Sequence, residues 1–390
     1  MLKRYLYILI LKIDGIIISI SGNIKKLTLQ ADKFSVYKKM IVILIIAAVS
    51  LPAPSYKYMR VDTDRRLNTI AFGSCSHQDK PQPVLNLISD IRPDLFIYLG
   101  DNIYNDSYQI KDLPGCYTRL GSKPEFIRLK DTADILAIWD DHDYGWNDSG
   151  NDYPFKEKSK QIFLDFFGIP EKEILRRKGI YYSKLFTDGK HKVQIIMLDL
   201  RTFRDKLLPY KGEKAWIPGY QYRLDYSPHI SKKPAMLGEE QWAWLQKQLR
   251  LPADLRIIAS STQFGVSYNG YESWANFPHE QKRMLNLLKS TRAEGVIFLS
   301  GDVHYGEISL IEEEYLYPIY DITSSGITST WPFSTPNSNR IAGPVMENNF
   351  GLITIDWEMD DPEITIQIRD VNEEIRINWE FKLSHLKFKD

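Results

Sequence analysis

Cysteine is scarce in this chain: 390 residues hold two, Cys75 and Cys116. Two thiols make at most one bridge, which excludes a scaffold built on disulfides. Charge of either sign is not in surplus, with 50 Lys+Arg against 50 Asp+Glu. That balance argues against binding nucleic acid by bulk charge, which needs a basic excess. Long apolar runs are missing as well. Tyr5 to Ile20 is interrupted by Lys12 and Asp14, and Ile41 to Val49 is short. Neither reaches the roughly 18 uninterrupted apolar residues that a membrane-spanning helix requires. No internal repeat, low-complexity tract or linker follows Asp62. What is present suffices for a core: 43% hydrophobic and 13% aromatic residues exclude a mainly disordered chain. The length suits either two or three domains of about 150 residues or one large α/β domain.

The first sixty residues stand apart. Lys38-Lys39 precedes the Ile41–Val49 run, which leaves through Ala48-Val49-Ser50 before Leu51-Pro52-Ala53-Pro54. A positive flank, a short apolar run and a small-residue exit read as an export signal over residues 38–50. An uncleaved N-terminal membrane anchor is the competing reading, and the stretch upstream of Lys38 fits a mis-assigned start. We therefore divide the chain into an export or anchor segment with spacer, 1–61, and one large domain, 62–390. The expected location is outside the cytoplasm, periplasmic or extracellular.

From Asn68 onward, short apolar runs alternate with amphipathic stretches, the pattern of a layered α/β domain. Strands are expected over Asn68–Phe72, Asp94–Leu99, Ile135–Trp139, Val193–Leu198, Leu255–Ala259 and Val296–Leu299. Helices are expected over Pro83–Asp90, Glu239–Arg250 and Pro278–Arg292. The tail differs: Ile319–Thr323, Gly351–Trp357, Glu363–Arg369 and Glu374–Phe381 alternate with no helix between them, which suggests antiparallel strands completing a second sheet.

Polar and metal-binding side chains recur directly after the buried strands, where open α/β sheets collect their sites. Five strand ends deliver Cys75, Asp101 with Tyr104, Asp141 with His142, Arg201, and Asp302 with His304. Asp101, Asp141 and Asp302 are hard oxygen ligands suited to Ca²⁺, Mg²⁺, Mn²⁺ or Fe³⁺. Cys75 and His304 are softer, and Tyr104 can supply a phenolate. The mixture suggests two unlike metal positions; a single Zn²⁺ held by Cys, His and carboxylate is the alternative. Two cations sharing a carboxylate activate water and clamp phosphoryl oxygens, and Arg201 offers a planar, permanently charged donor to phosphate.

The blocks Gly100-Asp101-Asn102-Ile103-Tyr104, Trp139-Asp140-Asp141-His142-Asp143-Tyr144-Gly145 and Gly301-Asp302-Val303-His304 together resemble a calcineurin-like metallophosphoesterase of the PhoD-like (alkaline phosphatase D) branch. Phe72-Gly73-Ser74-Cys75-Ser76, Leu198-Asp199-Leu200-Arg201 and Asp321-Ile322-Thr323-Ser324-Ser325-Gly326 support the resemblance, which extends from about Thr69 to Gly326. The superfamily pattern opens with Asp-x-His and closes with Gly-His-x-His. Here Cys75 stands in the opening block, Tyr104 at the second Asp of the next, Asp141 at an Asn and Asp302 at a His. The resemblance implies a four-layer α/β/β/α sandwich of two mixed sheets flanked by helices. It implies Fe³⁺ held by Cys75, Asp101, Tyr104 and His304, and Ca²⁺ held by Asp101, Asp141 and Asp302, with Zn²⁺ or Mn²⁺ as alternatives. It also implies a phosphoric-ester substrate, hydrolysed as a monoester or diester, with His142 as leaving-group acid and Arg201 at the substrate.

Blander readings accompany these residues. Cys75 can bridge Cys116, which otherwise reads as structural, and Asp140 competes with Asp141 as the ligand. Ser76 with His77 lacks the elbow motif of a serine nucleophile. Gln263 is a candidate for the pocket lining. His279 begins a helix and reads as a cap or support, and Trp146, Trp274 and Trp331 form either an aromatic mouth or part of the core. A non-catalytic metal- or phosphate-binding relative, and an iron enzyme of other chemistry, are the alternatives to a hydrolase.

Overall fold

The structure is a computed structural model that describes residues 61–169, 172–212, 215–217, 220–222 and 224–389, with three short strands ahead of them. The chain falls into two compact units, Met1–Ser55 and Tyr56–Asp390. In the first, Leu9–Ile13, Ile16–Ile20 and Thr28–Gln30 make an antiparallel sheet. The expected export segment over 38–50 lies outside the described residues. Among the described residues no helix is long and apolar enough to cross a membrane.

The second unit begins with β1 (Thr69–Gly73), α1 (Pro83–Ile91), β2 (Leu95–Leu99), α2 (Leu113–Gly121), α3 (Pro124–Thr132), β3 (Asp134–Ile138) and the single turn α4 (Asp141–Tyr144). It continues through α5 (Lys156–Phe167), β4 (Tyr182–Thr187), β5 (Lys192–Met197), α6 (Gly238–Leu249), β6 (Leu255–Ser260), α7 (Pro278–Thr291) and β7 (Val296–Ser300). Six strands finish it: β8 (Gly306–Ile311), β9 (Ile319–Ser324), β10 (Arg340–Val345), β11 (Asn349–Asp356), β12 (Glu363–Asp370) and β13 (Ile375–Lys382). They assemble into a six-stranded sheet, β13-β12-β11-β1-β2-β3, and a seven-stranded sheet, β10-β8-β9-β7-β6-β5-β4. The architecture is the mixed-sheet, helix-flanked sandwich that the motif blocks implied.

Burial explains the strand types. Every residue of β2, Leu-Phe-Ile-Tyr-Leu, is buried, as expected for a parallel strand covered on both faces. β12 alternates instead, with Ile364, Ile366 and Ile368 buried between half-exposed neighbours, the mark of an antiparallel strand with one wet face. Strands β1, β2 and β3 run parallel, as do β5, β6, β7 and β9. Their carboxyl ends therefore open on one side, and the loops that leave them carry the motif residues.

Two expectations needed revision. Ile319–Ser324 joins the seven-stranded sheet, parallel to β7, rather than the antiparallel tail on the other sheet. β4, β8 and β10 were not anticipated. β4 is an edge strand with three half-exposed residues in its middle, and β10 carries Gly343-Pro344 on another edge, so neither shows clean alternation.

The two sheets are tied by Asp199, just past β5. Its buried carboxylate accepts Trp139 Nε1 from the other sheet at 3.0 Å, the Ile180, Arg201 and Thr202 amides at 2.9 Å each, and Thr202 Oγ1 at 2.7 Å. Removing an acceptor with this many buried donors leaves several unsatisfied, each costing about 1–3 kcal/mol before relaxation. Asp199→Ala is expected to lower unfolding stability by about 3–5 kcal/mol, with Asp199→Asn losing less. Urea denaturation of both variants tests this; a midpoint unchanged in Asp199→Ala removes the claim that Asp199 ties the sheets.

Candidate metal centre

The loops leaving β1, β2, β3 and β7 converge, and their backbone is strained where they do. Cys75 (φ 61°), Asp101 (φ 49°), Asp302 (φ 76°) and His304 (φ 58°) all occupy the left-handed region, which non-glycine residues rarely adopt and which costs about 1–3 kcal/mol each. Gly100, at φ 101°, precedes Asp101, and a Cβ there would lie 2.6 Å from Asp140 Cβ. The glycine thus lets β2 and β3 deliver their carboxylates side by side.

Asp101 is the centre. Its Oδ2 lies 3.6 Å from Cys75 Sγ and 3.3 Å from the Tyr104 hydroxyl, which is itself 3.3 Å from His304 Nε2. Its Oδ1 accepts the His142 amide at 3.3 Å. One oxygen thus faces a thiol, a phenol and an imidazole, and the other faces the loop of Asp141 and His142. Three groups of donors have their ligand atoms within 4.8 Å of one another: Cys75, Asp101 and His304; Asp101, Asp141 and His142; and Asp101, Asp140, Asp141 and Asp302. All six residues expected to bind metal are brought together.

Donor chemistry supports cation binding. Asp140 Oδ2 and Asp141 Oδ1 are buried without a hydrogen-bond partner, a costly arrangement unless an ion fills the gap. Burial, then the charges of Asp141, Cys75 and Asp140, pushes the Asp101 carboxyl well up from its ordinary range. Burial, with Asp140, Glu272 and Asp141 close by, does the same to Asp302. Asp140 is raised to about 7 by burial, against the pull of Arg201. Asp141 differs: burial is outweighed by His142, Arg201 and the Asp148 amide, which hold it at about 2. Burial lifts the Cys75 thiol to about 12 and lowers His304 to about 4. A cation reverses the first of these shifts and is served by the second, because thiolate and neutral imidazole are the ligating forms.

The three carboxylates in sequence divide their work. Asp143 accepts the Asp140 amide at 2.6 Å and the Asn102 amide at 3.2 Å, and so braces the turn. Asp140 faces backwards onto Arg201, with Oδ1 2.6 Å from Nε and 2.5 Å from Nη2. Asp141 receives the Asp148 amide at 2.8 Å and keeps its other oxygen open.

Arg201, expected at the substrate, is fully buried behind this wall. Its Nη1 donates to both Glu272 oxygens at 2.9 Å, and Nη2 lies 3.7 Å from Asp141 Oδ1. Arg204 meets Glu272 from the other side at 3.2 Å. Gln263 is also buried, donating to Glu307 at 2.8 Å and Thr323 at 3.0 Å. Cys75 and Cys116 are both free thiols; Cys116 meets the Tyr104 carbonyl at 3.5 Å and receives Arg119 at 3.4 Å. Ser76 receives Gln82, while His77 stacks on Tyr104 at 4.9 Å and pairs with Asp106. His279 contacts the Pro234 carbonyl at 2.6 Å, a support for its helix start. Trp274 is core, whereas Trp146 is exposed and Trp331 lies 5.3 Å from the His304 ring.

Sequence reasoning passed over Glu272, Arg204 and Ser325. Ser325 Oγ lies 3.2 Å from Cys75 Sγ and accepts the His304 amide at 2.9 Å. It stands in the Ser324-Ser325-Gly326 block after parallel strand β9, so strand-end position was the available signal. Glu272 follows no strand and gave none.

The architecture and the two-sided donor set define a metallophosphoesterase-like fold. Residues 109–337 match the PhoD-like phosphatase family, and the chain belongs to that family. It is 24% identical over 299 residues to alkaline phosphatase D of Bacillus subtilis (strain 168), covering 65% of this chain and 48% of that protein. The chain thus spans about half the length of the curated relative it matches. Among solved structures, PhoD superposes with a TM-score of 0.66 at 18% identity, covering 87% of this chain and 73% of that one. A dimetal phosphatase from Danio rerio gives a TM-score of 0.52 at 12% identity over 82% and 99% of the two chains.

The raised carboxyls carry a stability consequence. Groups that bind protons more tightly folded than unfolded weaken the fold as pH rises. For Asp140 the penalty is absent below its ordinary value of 3.8, grows with pH and is complete above about 7; Asp101 and Asp302 add to it in the same direction. Metal-free protein is therefore expected to lose thermal stability between about pH 4 and 8, and cation-saturated protein to lack that slope. Calorimetry of chelated and loaded protein across this range tests it; parallel slopes would contradict a cation-neutralised cluster.

Proposed function

We propose that the chain hydrolyses phosphoric esters, as a monoesterase, a diesterase or both. One observation carries the reading: Asp101 belongs to every cluster of donor atoms, with Cys75 and His304 in one and with Asp141 and Asp302 in another, as a ligand shared between neighbouring cations would. In this reading Fe³⁺ is held by Cys75, Asp101, Tyr104 and His304, and Ca²⁺ by Asp101, Asp141 and Asp302. When bound, such cations acidify coordinated water and offset charge on phosphoryl oxygens.

The chain's own groups do the rest. His142, half-buried at the mouth of the cluster, has its ring 4.2 Å from that of Tyr104 and a ring nitrogen within 4.8 Å of Asp101 and Asp141 oxygens. Asp141, ionised throughout the neutral range, stands beside it. In this reading His142 passes a proton to the departing ester oxygen. Arg201 acts from behind: pinned by Asp140 and Glu272, it holds those carboxylates in register beneath the site. Export fits the Lys38-Lys39 flank and the Ala48-Val49-Ser50 exit.

His142→Ala is expected to lower turnover about 10²–10³-fold on alkyl phosphates and much less on nitrophenyl phosphate, whose leaving group needs no acid. Equal losses on both would remove the acid role. Native protein should be coloured, because Fe³⁺ bound to phenolate or thiolate absorbs visible light, and Asp101→Asn should lose both colour and activity. A colourless native protein rich in zinc would sink the iron assignment, and no hydrolysis of nitrophenyl or bis-nitrophenyl phosphate with Ca²⁺ would sink the hydrolase.

A further inference from the structure

The loops around the carboxylate cluster also carry aromatic side chains that the reaction does not use. Trp331 is half-buried, its ring 5.3 Å from that of His304 and its amide 3.4 Å from the His304 carbonyl. Phe333 stacks on it at 5.6 Å and 24°, and Tyr271 meets it at 5.2 Å. Tyr271 precedes Glu272, the partner of Arg201, so this group borders the carboxylate wall. On the opposite loops, Tyr108 is 44% exposed with φ 54°, and Trp146 is 42% exposed two residues before Asp148. The Tyr108 hydroxyl lies within the field of Asp141 and Asp148. Burying these rings against one another would have been favourable, at about 25 cal/mol per Å² of apolar surface. They stay partly open on the loops beside the site where an ester would bind.

We propose that this aromatic rim is a subsite for a planar ring in the organic group of the ester, with Trp331 as its principal stacking surface. The inference rests on the phosphoric-ester reading above and extends it to a class of substrate. A cluster of hard cations grips only the phosphoryl end, and that end is common to all esters. Discrimination must therefore come from beyond it, and a half-open indole next to His304 offers a π-face to a ring carried by the leaving group. Stacking on an aromatic side chain is tolerant of ring identity because every aromatic ring has such a face. An aryl ester and a nucleotide thus share the chemistry the rim reads.

Adenosine 5′-monophosphate and ribose 5-phosphate test the idea, because they share the scissile bond and leaving oxygen and differ by the base. With metal-loaded full-length protein, kcat/KM is expected to favour the nucleotide by about ten-fold or more, expressed in KM. The ratio should fall towards one in Trp331→Ala and persist in Trp331→Phe, which separates loss of the ring from loss of the fold. A wild-type ratio near one, or a ratio unchanged in Trp331→Ala, overturns the subsite. Should neither compound be hydrolysed, the monoesterase part of the reading fails separately, and calorimetric binding of the two compounds judges the subsite by the same ratio. Adenosine and phenol as competitors distinguish a nucleoside from a bare aryl source. Competition by either, with none by ribose, supports the subsite; competition by neither refutes it.

Discussion

Four carboxylates drawn within 4.8 Å of one another in a buried loop cluster repel, and much of the surrounding structure answers that repulsion. In metal-free protein the answer is partly protonation, as the raised Asp101, Asp140 and Asp302 show. From behind it is Arg201, which meets Asp140 and Glu272 with complete burial on its own side. From the front a cation would answer it: Asp140 Oδ2 and Asp141 Oδ1 have no hydrogen-bond partner, though Asp141 Oδ1 also lies 3.7 Å from Arg201 Nη2. A buried guanidinium among acids stabilises little by itself, because desolvation offsets its attraction. What it gives is geometry: it fixes which face of Asp140 points inward and leaves Asp141 facing the other way.

The backbone expresses the same constraint. Cys75, Asp101, Asp302 and His304 each sit at positive φ two to four residues past the end of a parallel strand. A strand-to-loop turn of that hand swings the side chain across the sheet end rather than along the strand. It is costly, and it recurs at four of the expected ligand positions, whose strands lie in both sheets. Asp199 and its five donors supply the rigidity against which such strain can be held, joining Trp139 of one sheet to the β5 end of the other. The strain and the tie are thus parts of one arrangement, since loops held less firmly would relax to ordinary φ and separate the ligands.

Much of this was legible in the sequence, and the reason is local. Central parallel strands such as β2 are continuous apolar runs, so their ends, and the Asp, Cys and His residues placed there, can be read directly. All six expected ligands were picked out by that rule, and the structure brings them together. The readings that failed depended on which way a side chain points after the turn. Arg201 follows a strand as the ligands do, yet it turns inward to Glu272, a residue seventy positions on that no strand end announces. Gln263 likewise points into a polar pocket between β8 and β9. Edge strands β4 and β10 escaped because half-exposed edges dilute alternation. Ile319–Ser324 looked like its antiparallel neighbours because strand pattern records burial, and only chain topology sets which sheet a strand joins.

Charge balance bears on cation binding by the cluster. Asp101, Asp140, Asp141, Asp302 and Glu272 supply five negative charges when ionised, and a cation drawing on Cys75 and Tyr104 would add a thiolate and a phenolate. Arg201 and Arg204 return two positive charges from the protein side. Asp143 and Asp148, raised by burial to about 8, stay largely protonated at neutral pH and add little. The balance stays negative, and bound cations would offset it. An uncompensated buried charge is among the costliest defects a protein can carry. Around Asp101 the thiol and the phenol gather on the Oδ2 side, and the His142 amide lies on the Oδ1 side.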